Sequence, residues 1–483
     1  MKISKFVSFI FIFSLLFLVA CKPSTENNND NLDDENPGEE IPTEEDETLI
    51  AANAKFLEVK TLLDASIPNE LYDNYTFNNF YDDSDVSVIW LSSNAQALTR
   101  TGIVNRQSED VNVTVTAKLK CLGIDYTYTK DIVVKALELR DLSLKKVTSA
   151  YLYTGVYRKI AEEDYEKIDI INLSFASISN GVINTSSIAS KIVEVSSLRN
   201  YGIRVCLSIG GWGADGFSDA VLTKESRTKF ITSIVNALML YKFSGVDLDW
   251  EYPTSTAGNT IVARPEDKQN FTLFLKELRE ALDEVNEDYL LTIAVPGTSY
   301  GTKYYELATI HQYLDYINLM TYDLLDYQDN ETTKHHTSLY NSVNNTSYIK
   351  AGVDAYKAAG IPSSKLIIGA AFYGHYGYVS ESPSGNGMGK TTTTSMRDAI
   401  NYTEIYNTYL SNPENEDNVY FDENAKATWY YDGNIFISYD DPVSLTYKCE
   451  YVETEELAGI MFWQYGGDQT GTLLDAIYKA FNK

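Results

Sequence analysis

The rhythm of apolar and polar positions changes three times along the chain, and each change marks a different kind of element. Phe6 to Ala20 is an apolar run, interrupted only by Ser8 and Ser14, behind Lys2 and Lys5. A charged start followed by an apolar stretch too short to span a bilayer comfortably as a helix predicts an export signal over residues 1–20. Residues 51–140 carry short, near-alternating segments: Val86-Ser-Val-Ile-Trp90, Val111-Asn-Val-Thr-Val-Thr116 and Tyr126 to Val134. Alternating β-branched and aromatic residues predict half-buried strands, here behind a short helical stretch from Ala54 to Asp64. The expected unit is an all-β sandwich.

From about Val147 the pattern becomes strand, helix, strand. Eight strand candidates follow in order: Ser149–Tyr153, Ile168–Ala176, Arg204–Gly210, Gly245–Glu251, Leu290–Val295, Tyr316–Tyr322, Leu366–Phe372 and Gly459–Tyr465. Most are nearly continuous apolar runs, as parallel strands covered on both faces require. Helical periodicity lies between several of them. It is clearest over Asp267 to Val285, where Phe271, Phe274, Leu275, Leu278 and Leu282 recur at three-to-four spacing, and it closes the chain over Leu473 to Phe481. Eight such repeats over residues 147–483 predict an α/β fold, a (β/α)8 TIM barrel. The surplus length, about 375–433, is rich in Tyr, Thr, Asn and Gly, and predicts a small α+β insertion between strands seven and eight, flanking a cleft.

Composition narrows the partners. The 483 residues carry a net charge of −29, so nucleic acid is not an expected partner, because a polyanion needs a basic footprint. A neutral polymer is not repelled, and the 37 Tyr offer flat faces with a hydroxyl, suited to stacking on sugars, although most will fill β-structure. Residues 22–48 hold eleven Asp and Glu against one Lys. Such a stretch cannot bury enough apolar surface to fold, so 21–50 reads as an acidic, extended tether. Cys121, Cys206 and Cys449 are widely spaced and read as buried thiols or at most one bridge. No metal or cofactor is expected: the pair His335–His336 has no Cys or His near it in the sequence to complete a site.

The chemistry is concentrated in Phe243-Ser-Gly-Val-Asp247-Leu-Asp249-Trp-Glu251-Tyr-Pro253. Alternate residues of a strand share a face, so Asp247, Asp249 and Glu251 point into the barrel, about 7 Å apart, while Val246, Leu248 and Trp250 face the helices. Buried like charges hold protons. Glu251, at the mouth where barrel active sites lie, is therefore expected to be kept protonated by the acidic row, as an acid for a leaving oxygen. Asp249, one step deeper, can share a proton with Asp247.

That motif, Asp-x-Asp-x-Glu followed by Tyr-Pro, resembles glycoside hydrolase family 18, the family of many chitinases. Ser208-Ile-Gly210-Gly211-Trp212 resembles its Ser-x-Gly-Gly motif, and Met320-Thr-Tyr322-Asp323 its Met-x-Tyr-Asp motif. Phe372-Tyr373-Gly374 closes strand seven and Trp463 lies on strand eight. The resemblance covers about two-thirds of the chain, from about Val147 to the end. It implies a retaining, substrate-assisted mechanism on β-1,4-linked N-acetylglucosamine polymers such as chitin, without metal or cofactor. Glu251 would be the acid, Asp249 would hold the substrate acetamido group with Tyr322, and Asp247 would tune Asp249. Asp323 would contact the sugar, Trp463 would floor the pocket, and Tyr153 and Phe175 would line it. Met320, Trp212, Tyr252 and Tyr373 complete the substrate-binding candidates, with Trp212 open between packing and binding. Two positions depart from the family pattern: Ser244 stands where an Asp is common, with altered support of the acidic row expected, and His375 where an Arg is common, which changes a substrate contact.

Two further resemblances complete the reading. Val88-Ile89-Trp90-Leu91-Ser92-Ser93-Asn94 with Thr101-Gly102-Ile103-Val104 is similar to atypical bacterial immunoglobulin-like modules, here expected to act as a spacer rather than a sugar binder. Leu18-Val19-Ala20-Cys21 resembles a bacterial lipobox, which implies a lipid on Cys21 and a place at the outer membrane or cell surface; separately, a monomer is expected. An endo-β-N-acetylglucosaminidase acting on glycoproteins and a non-catalytic chitin-binding lectin are the alternatives on the same barrel.

Overall fold

The computed structural model describes residues 43–342, 345–379 and 385–483. The export signal, Cys21 and residues 21–42 of the expected tether lie outside the described residues. Residues 44–50, expected within the tether, instead open a helix, Glu44–Ser66. Thr43 and Asp46 form its capping box, and the four acidic residues of the first turn sit at the positive end of the helix dipole. The charges that argue for disorder in a free segment here favour a helix start. Among the described residues no helix is long and apolar enough to cross a membrane.

That helix packs on a single four-stranded sheet, in the order Glu70–Leu71, Ile124–Val134, Val111–Cys121, Val86–Ser92, parallel in the first pair and antiparallel in the others. Val113, Val115, Ala117, Leu119 and Cys121 alternate inward along one strand. Phe56 of the helix stacks on Tyr126 at 4.5 Å. Trp90 stacks on Phe77 at 4.5 Å, and its Nε1 donates to the Asn78 carbonyl. The expected all-β sandwich is therefore corrected to a helix-on-sheet unit. Alternation revealed strands with one apolar face, and a longer helix than expected covers that face in place of a second sheet.

A 3-10 turn, Leu142–Leu144, lies between the last strand of the module and the first barrel strand. The Arg106 guanidinium reaches the carbonyls of Ala136 and Asn200, and Tyr201 bonds Asp73, so side chains as well as the chain link the two parts.

The eight barrel strands are Val147–Tyr153, Ile170–Ser179, Arg204–Gly210, Gly245–Asp249, Leu290–Pro296, Tyr316–Met320, Leu366–Ala371 and Gly459–Trp463. Each pairs in parallel with its sequence neighbours, and the first pairs with both the second and the eighth, closing the sheet. Outward residues pack under the helices, including Lys224–Tyr241 and Asp267–Asp283. Trp250 belongs to this outer layer, stacked on Phe217 at 5.2 Å and edge-on to Phe271. A second, smaller core fills the lumen, with Tyr151, Ile170, Cys206, Ile367 and Met461 among its residues. Cys121, Cys206 and Cys449 are free and buried.

The insertion is larger than its composition suggested. Five antiparallel strands, ordered Asp398–Asn401, Tyr373–Tyr378, Ile435–Tyr439, Ala427–Tyr431, Val419–Asp422, form a sheet that starts directly after barrel strand seven. Its return is pinned by a buried ion pair, Lys448 Nζ to Asp440 Oδ2 at 2.6 Å. Asp440 also accepts from Ala371 N at the end of strand seven and from Ser444 Oγ. Removing one partner of a buried pair strands the other charge, which costs about 3–5 kcal/mol. Lys448→Ala should therefore lower the thermal midpoint sharply. A midpoint within a degree or two of wild type, roughly the effect of a surface change, would show that the pair does not hold the insertion.

Candidate active site

Barrel strand four ends at Asp249, two residues earlier than its apolar pattern indicated, and Glu251 sits in the bend beyond it. Asp247 is fully buried beneath the cleft. Tyr151 OH and Ser208 Oγ donate to its Oδ2 at 3.0 and 2.8 Å, and Thr292 Oγ1 and Asn318 Nδ2 to its Oδ1 at 2.6 and 3.2 Å. These donors come from strands one, three, five and six. Burial raises the Asp247 pKa, and the four hydrogen bonds pull it back. Asp249 lacks such help: its Oδ1 is buried without a partner. Burial, with the charges of Glu251 and Asp247, holds its pKa well above the carboxylate range, so the proton of this pair rests on Asp249.

Glu251 is 8% exposed and opens on the cleft. Its pKa is pushed up to about 7, chiefly by burial, with Asp323 adding to the rise and the Tyr252 hydroxyl, 3.1 Å away, opposing it. Desolvation, rather than the acidic row, is the larger cause of this shift.

Two cavities meet at Glu251. One, of about 770 Å³, is lined by Tyr153, Phe175, Trp212, Asp249, Met320, Tyr322, Asp323, Tyr373 and Trp463. Phe175 stacks on Trp463 at 5.6 Å, and Tyr153 packs against the same indole. The other, of about 880 Å³, shares Trp212, Met320, Tyr322 and Asp323 and adds Tyr252, Pro296, Thr298, Tyr327, His375 and Arg397. Trp212 is 64% exposed between them, so it lines the cleft and is not core packing. Gly210 and Gly211 make this rim possible. A Cβ on Gly210 would lie 2.0 Å from the Asp249 carbonyl, one on Gly211 would strike the Phe175 ring, and both have positive φ.

The model of the glycosyl hydrolases family 18 matches residues 148–468. The chain belongs to family 18 of the glycosyl hydrolases. It is 35% identical over 309 residues to Chitinase A1 of Niallia circulans, covering 59% of this chain and 44% of that protein. A family 18 N-acetylglucosaminidase from Paenibacillus barengoltzii superposes with a TM-score of 0.63 at 36% identity, over 69% of this chain and 99% of that one. The cell-surface-expressed, multi-modular chitinase ChiW from a Paenibacillus strain gives 0.61 at 35% identity, over 70% and 43%.

In this family 18 barrel Tyr322 is 8% exposed, and its hydroxyl lies 3.9 Å from Met461 Sδ at the cleft floor. Asp323 has a positive φ, 59°, and stands 46% exposed in the cleft. Burial by its neighbours opposes its charge. Hydrogen bonding from His375, with attraction from His375 and His336, nevertheless holds its carboxyl well below the usual range. His375 Nε2 lies 2.9 Å from its Oδ1, and the Tyr373 hydroxyl bonds the same oxygen. His375 thus contacts a cleft carboxylate. The other departure, Ser244, sits under the barrel, where its Oγ accepts from Val205 N; it does not touch the acidic row.

Sequence reasoning missed Tyr151, Thr292 and Asn318 as supports of Asp247. The available signal was a polar group at an inward position of an otherwise apolar strand. It also missed Tyr327, Arg397 and the approach of His336 to Asp323 and His375, for which separation along the chain leaves no sequence signal.

The raised Glu251 pKa has a measurable sign. Below about 4.5, its ordinary value, Glu251 is protonated in folded and unfolded chains alike. Between there and about 7 only the unfolded chain releases the proton, so folding stability falls as pH rises through the folded pKa and loses nothing further above it. Glu251→Gln should gain in thermal midpoint relative to wild type across that window and then level off. A difference flat from roughly pH 4 to 8 would mean that Glu251 ionises like a surface glutamate.

Proposed function

We propose that the chain is a retaining, substrate-assisted glycoside hydrolase that cuts β-1,4 bonds of N-acetylglucosamine polymers, with chitin as the substrate class. The observation that carries this reading is a buried glutamic acid, protonated up to about pH 7, at the junction of two sugar-sized cavities. A cleft open on both sides of the acid fits an internal linkage of a chain better than a terminal sugar alone. A lectin on this barrel has no need of a proton-holding Glu251 above a proton-holding Asp249.

The steps follow from the site. A sugar stacked on Trp463 places its glycosidic oxygen at Glu251, which donates its proton as the bond from the anomeric carbon to that oxygen breaks. The substrate's acetamido oxygen bonds to the anomeric carbon from the opposite face, so the family departs from the two-carboxylate arrangement. Asp249 faces the acetamido N–H, and Tyr322 the acetamido oxygen. Asp247, locked by its four donors, keeps Asp249 in place. The Glu251 carboxylate then takes a proton from water, which attacks the anomeric carbon and releases the acetamido oxygen with retention.

Glu251→Gln should keep sugar binding and lose about 10²–10⁴ in turnover on chito-oligosaccharides; near-normal turnover of the purified variant would remove Glu251 as the acid. Mass analysis of fragments from chito-oligosaccharides and, separately, from a high-mannose glycoprotein divides the chitinase from the glycoprotein enzyme.

We also propose, from Leu18-Val19-Ala20-Cys21, that the mature protein carries a lipid on Cys21 and stands at a bacterial outer membrane or cell surface. A helix-on-sheet module before the barrel supports that reading as a spacer, and ChiW is described as cell-surface expressed. Cys21→Ala should move the protein from the membrane fraction to the soluble one. Unchanged membrane fractionation would refute lipidation at this residue.

A further inference from the structure

Outside the acidic ladder, three side chains with metal-ligating atoms converge on one point of the cleft wall. Asp323 lies three residues beyond barrel strand six, His336 further along the same loop, and His375 is on the first strand of the insertion sheet. One carboxylate oxygen and one nitrogen from each imidazole all lie within 4.8 Å of one another. His375 Nε2 is 2.9 Å and His336 Nδ1 3.9 Å from Asp323 Oδ1, and the two imidazole rings are 5.1 Å apart.

The His336 ring makes the case. It is fully buried, and neither of its nitrogens has a hydrogen-bond partner. An orphaned buried imidazole costs free energy and calls for an explanation. A separation of 3.9 Å is too long for a hydrogen bond to Asp323, but it suits two ligands of one ion. Bonds of about 2.0–2.2 Å in tetrahedral geometry place ligand atoms roughly 3.4 Å apart. The backbone around His336 is held in place: its N–H donates to Ser438 Oγ and its carbonyl accepts from Leu324 N.

We propose that Asp323, His336 and His375 form a site for a divalent cation of the zinc class. Two imidazoles and a carboxylate suit zinc, and three protein ligands leave a fourth position open. Asp323 and His375 line the cavity shared with Tyr327 and Arg397, so a fourth ligand enters from that side. The cation takes the Asp323 oxygen that otherwise meets His375 and occupies part of the cleft beside Glu251. Occupancy therefore blocks a sugar and inhibits hydrolysis reversibly. Binding is independent of the proposed reaction; only the inhibition rests on it.

The test uses the full chain freed of metal with a chelator. Calorimetric titration with Zn²⁺ should give one ion per chain, and Co²⁺ should give the strong visible bands of tetrahedral coordination. His336→Asn and His375→Asn, checked for folding by circular dichroism, should each weaken Zn²⁺ at least tenfold. Zn²⁺ should raise the thermal midpoint of wild type more than that of either variant. Inhibition of chito-oligosaccharide cleavage should follow the same binding midpoint, measured against each protein's own metal-free rate. No stoichiometric binding, or binding unchanged in both variants, overturns the site. Site-specific binding to a protein that cleaves nothing without metal upholds the site and defeats the hydrolase reading instead.

Discussion

A carboxylate sealed inside a barrel is the constraint on which the site depends. Asp247 is fully buried, and an unpaired charge there would cost several kcal/mol. Four donors from strands one, three, five and six meet it. They converge only when the sheet closes, so closure and the support of Asp247 are the same event. The consequence passes upward: Asp249, without donors on Oδ1 and beside a buried charge, holds a proton. Glu251, at the mouth, is raised to about 7 by burial.

The cleft around this ladder is built by elements far apart in the chain. Trp463 from strand eight is faced by Phe175 and Tyr153 from strands two and one, giving an aromatic floor. The insertion sheet supplies Tyr373 and His375 to the opposite wall, and both contact Asp323. Its attachment through Asp440 and Lys448 ties that wall to the end of strand seven. The position of the Asp323 carboxylate therefore depends on the insertion as well as on the barrel.

Asp323 shows how a departure from a family pattern reshapes a site. An Arg at position 375 would bring a fixed cation. His375 brings a group that can donate, accept or ligate, next to the orphaned ring of His336. The carboxyl stays ionised between the two imidazoles, so it remains available to a sugar hydroxyl or a cation.

The eight barrel strands were legible because parallel strands covered on both faces need continuous apolar runs, and each was located within a few residues. The ladder was legible because a strand has a period of two, which sends Asp247 and Asp249 to one side, and Glu251, in the bend beyond the strand, opens on the same cleft as Asp249. The architecture of the N-terminal module was not: three alternating segments state that one face is buried but not what buries it, and Glu44–Ser66 filled that role. Nor was the network under Asp247, since Thr292 and Asn318 look like isolated polar residues until closure brings them to one carboxylate. The sequence by itself determined the elements, the inward row of acids and the family, because these rest on local periodicity and adjacent residues. Only the tertiary structure decided which acid keeps its proton, how the cleft divides at Glu251, and that His336 meets His375. Burial, distance and charge between residues far apart in the chain exist only once it has folded.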